Sequence, residues 1–124
     1  MRQYQVYQKK KKATSLVWAL AFQISCGLTL AETVPTTVNG CRLKHGAVCP
    51  KINLSGLNLS GVNLSSSFLI GANLTGTNLT NANLSGAQLS GAIFDGATMT
   101  GAKLPGADLS GCSLQTVKLD KANL

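Results

Sequence analysis

The sequence predicts that residues 52–124 form a solenoid, a chain that winds around a common axis. The first observation is a leucine, or in two cases a phenylalanine or methionine, at every fifth position without a slip in register. The second is a small or apolar residue two positions earlier, and the third is a glycine two positions later in most repeats. The predicted inward-facing core residues are Leu54, Leu59, Leu64, Leu69, Leu74, Leu79, Leu84, Leu89, Phe94, Met99, Leu104, Leu109, Leu114, Leu119 and Leu124.

A period of five fits neither a straight α-helix nor a flat strand. Five residues of an α-helix turn about 500°, so successive leucines would lie roughly 140° apart and spread around the cylinder. In a flat strand, five is an odd number of alternations, so successive leucines would point to opposite faces. A chain that turns a corner once in each repeat returns every leucine to the axis, which is how a solenoid is built.

The other positions of the repeat suit this arrangement. The residue two before each leucine, as at Ala72, shares the inward face because residues two apart in an extended segment point the same way. The residue between them is polar, most often asparagine as at Asn73, and is predicted to point outward. Ser or Thr and then Gly follow the leucine, and this pair suits a tight corner with positive φ and local hydrogen bonds.

Three segments show the repeat in its clearest form: Ala-Asn-Leu-Thr-Gly at 72–76, Ala-Asn-Leu-Ser-Gly at 82–86 and Ala-Asp-Leu-Ser-Gly at 107–111. They closely resemble the pentapeptide-repeat proteins, and the resemblance covers all of 52–124. It implies an all-β fold, a right-handed quadrilateral β-helix with four repeats in each coil. Residues 20 apart would then stack along a short rod of fewer than four coils.

Residues 1–31 are predicted to be a secretory signal peptide. The basic run Lys9–Lys12 precedes an apolar stretch, and Thr29 and Ala31 supply the small residues expected before a cleavage site at Glu32. We therefore expect an exported protein, either periplasmic or secreted.

Two alternatives remain for the same segment. Residues 14–31 approach the length of a membrane span, so an uncleaved N-terminal anchor is the first, although polar residues such as Gln23 interrupt the apolar run. A membrane is an expected partner only in that case. Lipidation at Cys26 is the second alternative. In sequences that resemble bacterial lipoprotein signals, an aliphatic residue stands three positions before the cysteine, but this chain has Gln23 there.

Removal of the predicted signal peptide would remove most of the chain's positive net charge. The whole chain has a net charge of +7, much of it from Arg2 and Lys9–Lys12. Residues 32–124 hold six basic and four acidic side chains, which leaves +2. The basic balance therefore reflects targeting, and no nucleic-acid partner is expected.

Residues 32–51 are predicted to be a linker and an N-terminal cap loop. The stretch 32–39 is short and polar, whereas Gly40–Pro50 lacks the repeat and leads directly into the first coil. An open coil would expose unpaired backbone and apolar side chains, so this segment is expected to cover that end. No matching segment follows Leu124. We therefore expect self-association or an unknown protein partner at the last coil, unless the chain is a piece of a longer protein.

Cys41 and Cys49 are predicted to form a disulfide, because exported proteins meet oxidising conditions. Cys41, His45 and Cys49 also have Cys-x3-His-x3-Cys spacing, so a metal site is the alternative. The metal site is disfavoured because Gly46 would interrupt a helix there and no fourth ligand is evident. Cys112 holds an inward position and is interpreted as a small buried residue. Because it has no partner once Cys41 and Cys49 are paired, an intermolecular disulfide is an alternative.

The sequence contains no recognisable catalytic set and no cofactor-binding motif. His45 is its only histidine, the aspartates are scattered, and the glycines recur with the repeat. We therefore expect a non-enzymatic exported scaffold or protein-interaction module. Family analogy offers an alternative, a DNA mimic that binds gyrase, but that function needs an acidic surface and a cytosolic location. Ice binding, which some β-solenoids achieve with unbroken rows of threonine, is a less favoured function. The column Ser55, Thr75, Asp95, Gln115 is not such a row.

Overall fold

The structure is a computed structural model of the chain, and it describes residues 34–124. The predicted signal peptide, 1–31, lies outside the described residues. The described part begins with a hairpin of two strands, β1 (Thr37–Val38) and β2 (Cys41–Arg42), and continues as a solenoid joined by isolated bridges. Nowhere in 34–124 does a helix reach the length and apolarity needed to cross a bilayer.

The hairpin is antiparallel, with Thr37 opposite Arg42 and Val38 opposite Cys41. Asn39 and Gly40 form its two-residue turn and have φ values of 49° and 78°. Positive φ at both central residues is what a type I′ turn requires, and Asn-Gly is the pair that best tolerates it. Part of the stretch predicted to be a linker and loop is thus an ordered hairpin.

Each coil of the solenoid contains four repeats. Parallel bridges join every outward residue to the residue 20 positions later, as in the series Asn53, Asn73, Ile93 and Ser113. Three backbone hydrogen bonds accompany each bridge except the one between Lys103 and Asn123, which has two. One series is Asn73 N–H to Ile52 C=O (2.9 Å), Leu54 N–H to Asn73 C=O (2.8 Å) and Gly56 N–H to Thr75 C=O (2.8 Å). The four-repeat coil expected from the family resemblance is therefore confirmed.

The coil register already includes Gly46, inside the segment predicted to be a cap loop, because Gly46 has the positive φ of a corner and donates its N–H to the Ser65 carbonyl at 2.9 Å. Val48 forms a parallel bridge with Phe68, and the N–H groups of Cys49 and Lys51 donate to Phe68 and Ile70 at 2.9 and 2.8 Å. Cys49 thus stands in the axial position of a repeat and Lys51 in its corner position. The sequence obscured this repeat because it has cysteine for leucine and lysine for glycine.

Each corner is a tight turn that begins at the axial residue. In most repeats the residue three positions later donates its N–H to the axial carbonyl, as Ala82 does to Leu79 at 3.0 Å. The third residue of the turn has positive φ, which identifies a type II turn. Glycine holds most of these positions, while Lys51, Ser66, Asn81, Thr116 and Lys121 adopt the same conformation at φ of 55–58°.

The corner positions also stack, and their side chains need room. Asn81 projects over Gly101, where an added Cβ would collide with the Asn81 side-chain oxygen. Lys51 similarly lies over Gly71, whose added Cβ would come within 3.3 Å of the lysine Cγ. A side chain at one corner therefore leaves little room for a side chain at the corner of the next coil in these columns.

The core follows the axis of the solenoid. The axial residues from Leu54 to Leu104 have at most 2% of their surface exposed, and the alanines beside them are equally buried. At the hairpin end, Leu43 and Ala47 are buried and cover the first coil. At the other end, Leu109 is half-buried and Leu114, Leu119 and Leu124 are exposed, so the prediction that these last three belong to the buried core is wrong.

Buried polar groups are satisfied by the nearby backbone. Thr77 stands in an inward position and donates its hydroxyl to the Leu54 carbonyl at 2.8 Å, and Ser67 donates to Leu64 at 2.5 Å. Within the described residues, no buried side-chain nitrogen or oxygen lacks a hydrogen-bond partner. Inward hydroxyls are therefore tolerated only because a carbonyl of the coil lies within reach.

The outward asparagines have a structural role. An Oδ1 atom accepts a hydrogen bond from the N–H two residues later at 3.0–3.2 Å in the following residues: Asn53, Asn58, Asn63, Asn73, Asn78, Asn83 and, as an aspartate, Asp108. This bond satisfies a corner N–H that lies next to the turn. The recurring asparagine thus stabilises the corner that follows it.

Leu84 and Asn83 offer a matched test of the inward and outward positions. Leu84→Asp should reduce the free energy of unfolding by at least about 4 kcal/mol, because it removes a buried leucine and places a carboxyl group without a partner on the axis. Asn83→Asp keeps an oxygen for the Ser85 N–H and hydroxyl, so it should change stability by less than about 1 kcal/mol. Urea unfolding of both variants measures the difference, and equal losses would contradict the assignment of faces.

Candidate interaction surface at the disulfide-linked end

The predicted disulfide is present and joins the hairpin to the first coil. Cys41 on β2 bonds to Cys49, with their Cα atoms 6.1 Å apart. Val34 and Val38 pack against the same end of the core and are partly buried. The bridge therefore holds the cap against the solenoid.

The alternative metal site does not assemble. The disulfide uses both cysteines, and residues 34–124 contain no group of three or more His, Cys, Asp or Glu side chains placed to hold a metal ion. His45 lies instead beside Ser65, with Nδ1 at 2.8 Å from the serine Oγ.

His45 and Ser65 form a pair that the sequence interpretation missed. They are 20 residues apart, so the coil period would have predicted the contact if the register had been extended to residue 45. Ser65 Oγ also donates to Asn63 Oδ1 at 2.7 Å, and because the hydroxyl has one proton, His45 Nδ1 is then the donor to Ser65. The described aspartates with side-chain partners, Asp95 and Asp108, bond elsewhere, so no carboxylate orients this histidine.

The surroundings of Asp108 and Cys112 shift the pKa of each side chain. Hydrogen bonding by Ser110, from its side chain and its backbone N–H, lowers the pKa of Asp108. Burial raises the pKa of the Cys112 thiol, whose sulfur donates to the Leu89 carbonyl at 3.0 Å. A thiol with a raised pKa is a weak nucleophile at neutral pH, which agrees with a packing role for Cys112.

An open hollow of about 520 Å³ lies between the hairpin turn and the first coil. Asn39 and Gly40 line one side, and residues 48–53 line the other, with Lys51 among them. The lining thus combines the disulfide and one cation with the apolar residues Val48, Pro50 and Ile52.

One face of the rod departs from the polar outward pattern close to this hollow. Val48, Phe68 and Ile70 are 70, 42 and 43% exposed, and Pro50 beside them is exposed as well. We call these four residues the apolar patch. Repeats elsewhere have mainly Asn, Ser or Thr at the same positions.

Comparison with known proteins identifies the repeat. The family model described as "Pentapeptide repeats" matches in eight copies over residues 58–96 and 92–124. Among solved structures, a pentapeptide repeat protein from the thylakoid lumen of Arabidopsis thaliana is 40% identical, with a TM-score of 0.56 over 56% of this chain and 48% of that one. A search of curated proteins found no match.

Two cyanobacterial proteins show weaker structural similarity. HetL, a pentapeptide repeat protein from Nostoc involved in heterocyst differentiation regulation, is 33% identical with a TM-score of 0.40 over 60% of this chain and 39% of that one. Rfr23, a pentapeptide repeat protein from Cyanothece, is 34% identical with a TM-score of 0.36 over 63% of this chain and 56% of that one. The matches span between 39 and 56% of the lengths of the three solved structures.

Loss of the disulfide should weaken the capped end. Cys41→Ser with Cys49→Ser should lower the free energy of unfolding by about 2–3 kcal/mol, since the bridge closes a short loop in the unfolded chain. Cys112→Ser keeps a hydroxyl near the Leu89 carbonyl and is the matched control for loss of a sulfur. Chemical denaturation of oxidised protein measures both, and equal stability of the double variant and the unaltered chain would show that the bridge does not stabilise the fold.

Proposed function

This chain belongs to the pentapeptide-repeat family, and on that basis we propose that it is an exported, non-enzymatic scaffold that binds a protein partner through one face of its rod. Proteins of this family are generally structural or interaction proteins. Their fold is the right-handed quadrilateral β-helix.

The observation that carries the proposal is the alignment of outward side chains in straight columns. Bridges between residues 20 apart hold each column in register over successive coils, so each face presents a fixed array. Many of the asparagine oxygens in these arrays are occupied by the adjacent corner, which orients the amide nitrogens. A surface ordered before binding loses little conformational entropy when a partner docks.

The disulfide supports export. Cys41 and Cys49 are paired, and such bonds persist in oxidising compartments and are rare in the cytosol. The relative from the thylakoid lumen is compatible with a location outside the cytosol.

The gyrase-binding alternative is disfavoured by charge. Residues 34–124 hold six basic and three acidic side chains, a net charge of +3. A surface that imitates the DNA backbone needs a strong excess of negative charge. The first half of the rod has none, because no aspartate or glutamate occurs between residue 34 and Asp95.

Export can be tested by the intact mass of the protein recovered from an exporting host. We expect a chain beginning at Glu32 whose mass increases by the two hydrogens of one reduced disulfide when it is treated with reductant. A full-length chain with free thiols would overturn the proposed location and leave the interaction proposal to stand on the next experiment alone.

Partner binding can be tested within a single coil, where the four faces are represented by Gln88, Ile93, Thr98 and Lys103. A photo-cross-linking amino acid is placed at each position in turn, in four otherwise identical chains. A docking face should give one specific adduct from one position or two neighbouring positions, because the faces point in different directions. Equal adducts from all four positions, or none, would contradict a scaffold that binds through a face.

A further inference from the structure

The apolar patch is organised as two stacked pairs on one face. Val48 lies over Phe68, joined by a parallel bridge, and Pro50 precedes Lys51, whose N–H donates to the Ile70 carbonyl at 2.8 Å. Further along the same face, the stacked positions become polar as Gln88 and Asp108. On this face the exposed apolar residues therefore lie in the first two coils, beside the cap; elsewhere Ile93 on the neighbouring face and the axial leucines of the last coil are also exposed.

Positive charge borders this patch on both sides. The corner that precedes the face begins at Lys44, whose carbonyl accepts from the Ala47 N–H at 3.0 Å, and the corner that follows it contains Lys51. Both lysines are exposed, and Arg42 on β2 is exposed nearby in sequence. These three are the only charged residues between 34 and 94, so the first two coils contain no carboxylate side chain.

Lys51 has a specific backbone conformation and a specific packing contact. Its backbone has a φ of 56° and its side chain packs over Gly71. The same lysine lines the hollow of about 520 Å³ beside the hairpin turn. Lys51 thus borders the apolar patch and also lines the hollow, which it shares with Val48 and Pro50 of the patch.

We propose that the apolar patch, with Lys44 and Lys51 at its borders, docks this end of the rod on the surface of an anionic lipid bilayer. Exposed apolar side chains enter the boundary between head groups and acyl chains, while lysines extend their apolar stems and keep their ammonium groups among the phosphates. The lack of carboxylates matters because anionic lipids would repel them. The hollow beside Lys51 gives a head group room to approach.

The test must separate this surface from residues 14–31, which are apolar and can partition into lipid by themselves. A local probe in the full chain does so. An environment-sensitive fluorophore is attached at Gln88→Cys, adjacent to Phe68 on the same face, or at Thr98→Cys, the matched outward position two faces away in the same coil. Both chains also have Cys26→Ser and Cys112→Ser, and the disulfide stays oxidised.

Vesicles of phosphatidylcholine with phosphatidylglycerol should shift the fluorescence at position 88 to shorter wavelength and leave position 98 unchanged. Vesicles of phosphatidylcholine alone should produce a much smaller shift, and added salt should reverse most of the shift on the anionic vesicles. Equal responses at 88 and 98, or equal responses to both lipids, would overturn the proposal. A shift at 88 that depends on protein concentration without vesicles would assign the patch to a second copy and would overturn it as well.

Two sets of variants complete the test. Val48→Asn, Phe68→Asn and Ile70→Ser install residues that the repeat uses at equivalent positions, and together they should abolish the shift without lowering the unfolding midpoint. Lys44→Gln with Lys51→Gln should weaken vesicle binding at least tenfold, whereas Lys118→Gln with Lys121→Gln, which removes the same charge from the last coil, should not. Equal losses from both lysine pairs would show that net charge alone attracts the protein to lipid.

Discussion

The backbone hydrogen bonds between residues 20 apart are the constraint on which the rest of this structure depends. Apart from the bonds that close each corner, the N–H and C=O groups of a coil point along the rod and are satisfied by another coil in the same register. That requirement makes every repeat five residues long, because one inserted residue would misalign all later bridges. The unbroken spacing of inward leucines is therefore a consequence of backbone pairing as much as of core packing.

The same ladder explains which residues the corners accept. Corners stack directly, so a side chain at one level occupies space above the next, as Asn81 does over Gly101 and Lys51 over Gly71. Glycine is thus favoured for two reasons, its tolerance of positive φ and its lack of volume. The second position of a corner has a different preference. Pro105 occupies it, because the φ to which the proline ring is restricted is the φ that this position of the turn needs.

The sequence predicted a solenoid with inward-facing leucines from its regular period, and four repeats in each coil from its resemblance to the pentapeptide-repeat family. It did not predict the hairpin, although Asn39-Gly40 is a strong turn signal, because the flanking strands are only two residues long and show no alternation. It also began the register too late. Ala47–Lys51 pairs like any other repeat, but its axial residue is a cysteine committed to a disulfide, so the leucine signal is absent. The contact between His45 and Ser65 was lost for the same reason.

Because the backbone hydrogen bonds determine the coil, most outward side chains in this protein are not needed for folding. Since the ladder and the axial residues determine the coil, an outward residue is free to vary unless it serves a corner, as the Oδ1 of Asn53 and Asn73 does. A recurring asparagine therefore says little about function. An apolar residue such as Phe68 at an outward position is different, because it contributes nothing to the ladder and exposes surface that water disfavours. In a repeat whose regular residues are explained by the coil, the departures from regularity are where a binding surface should be sought.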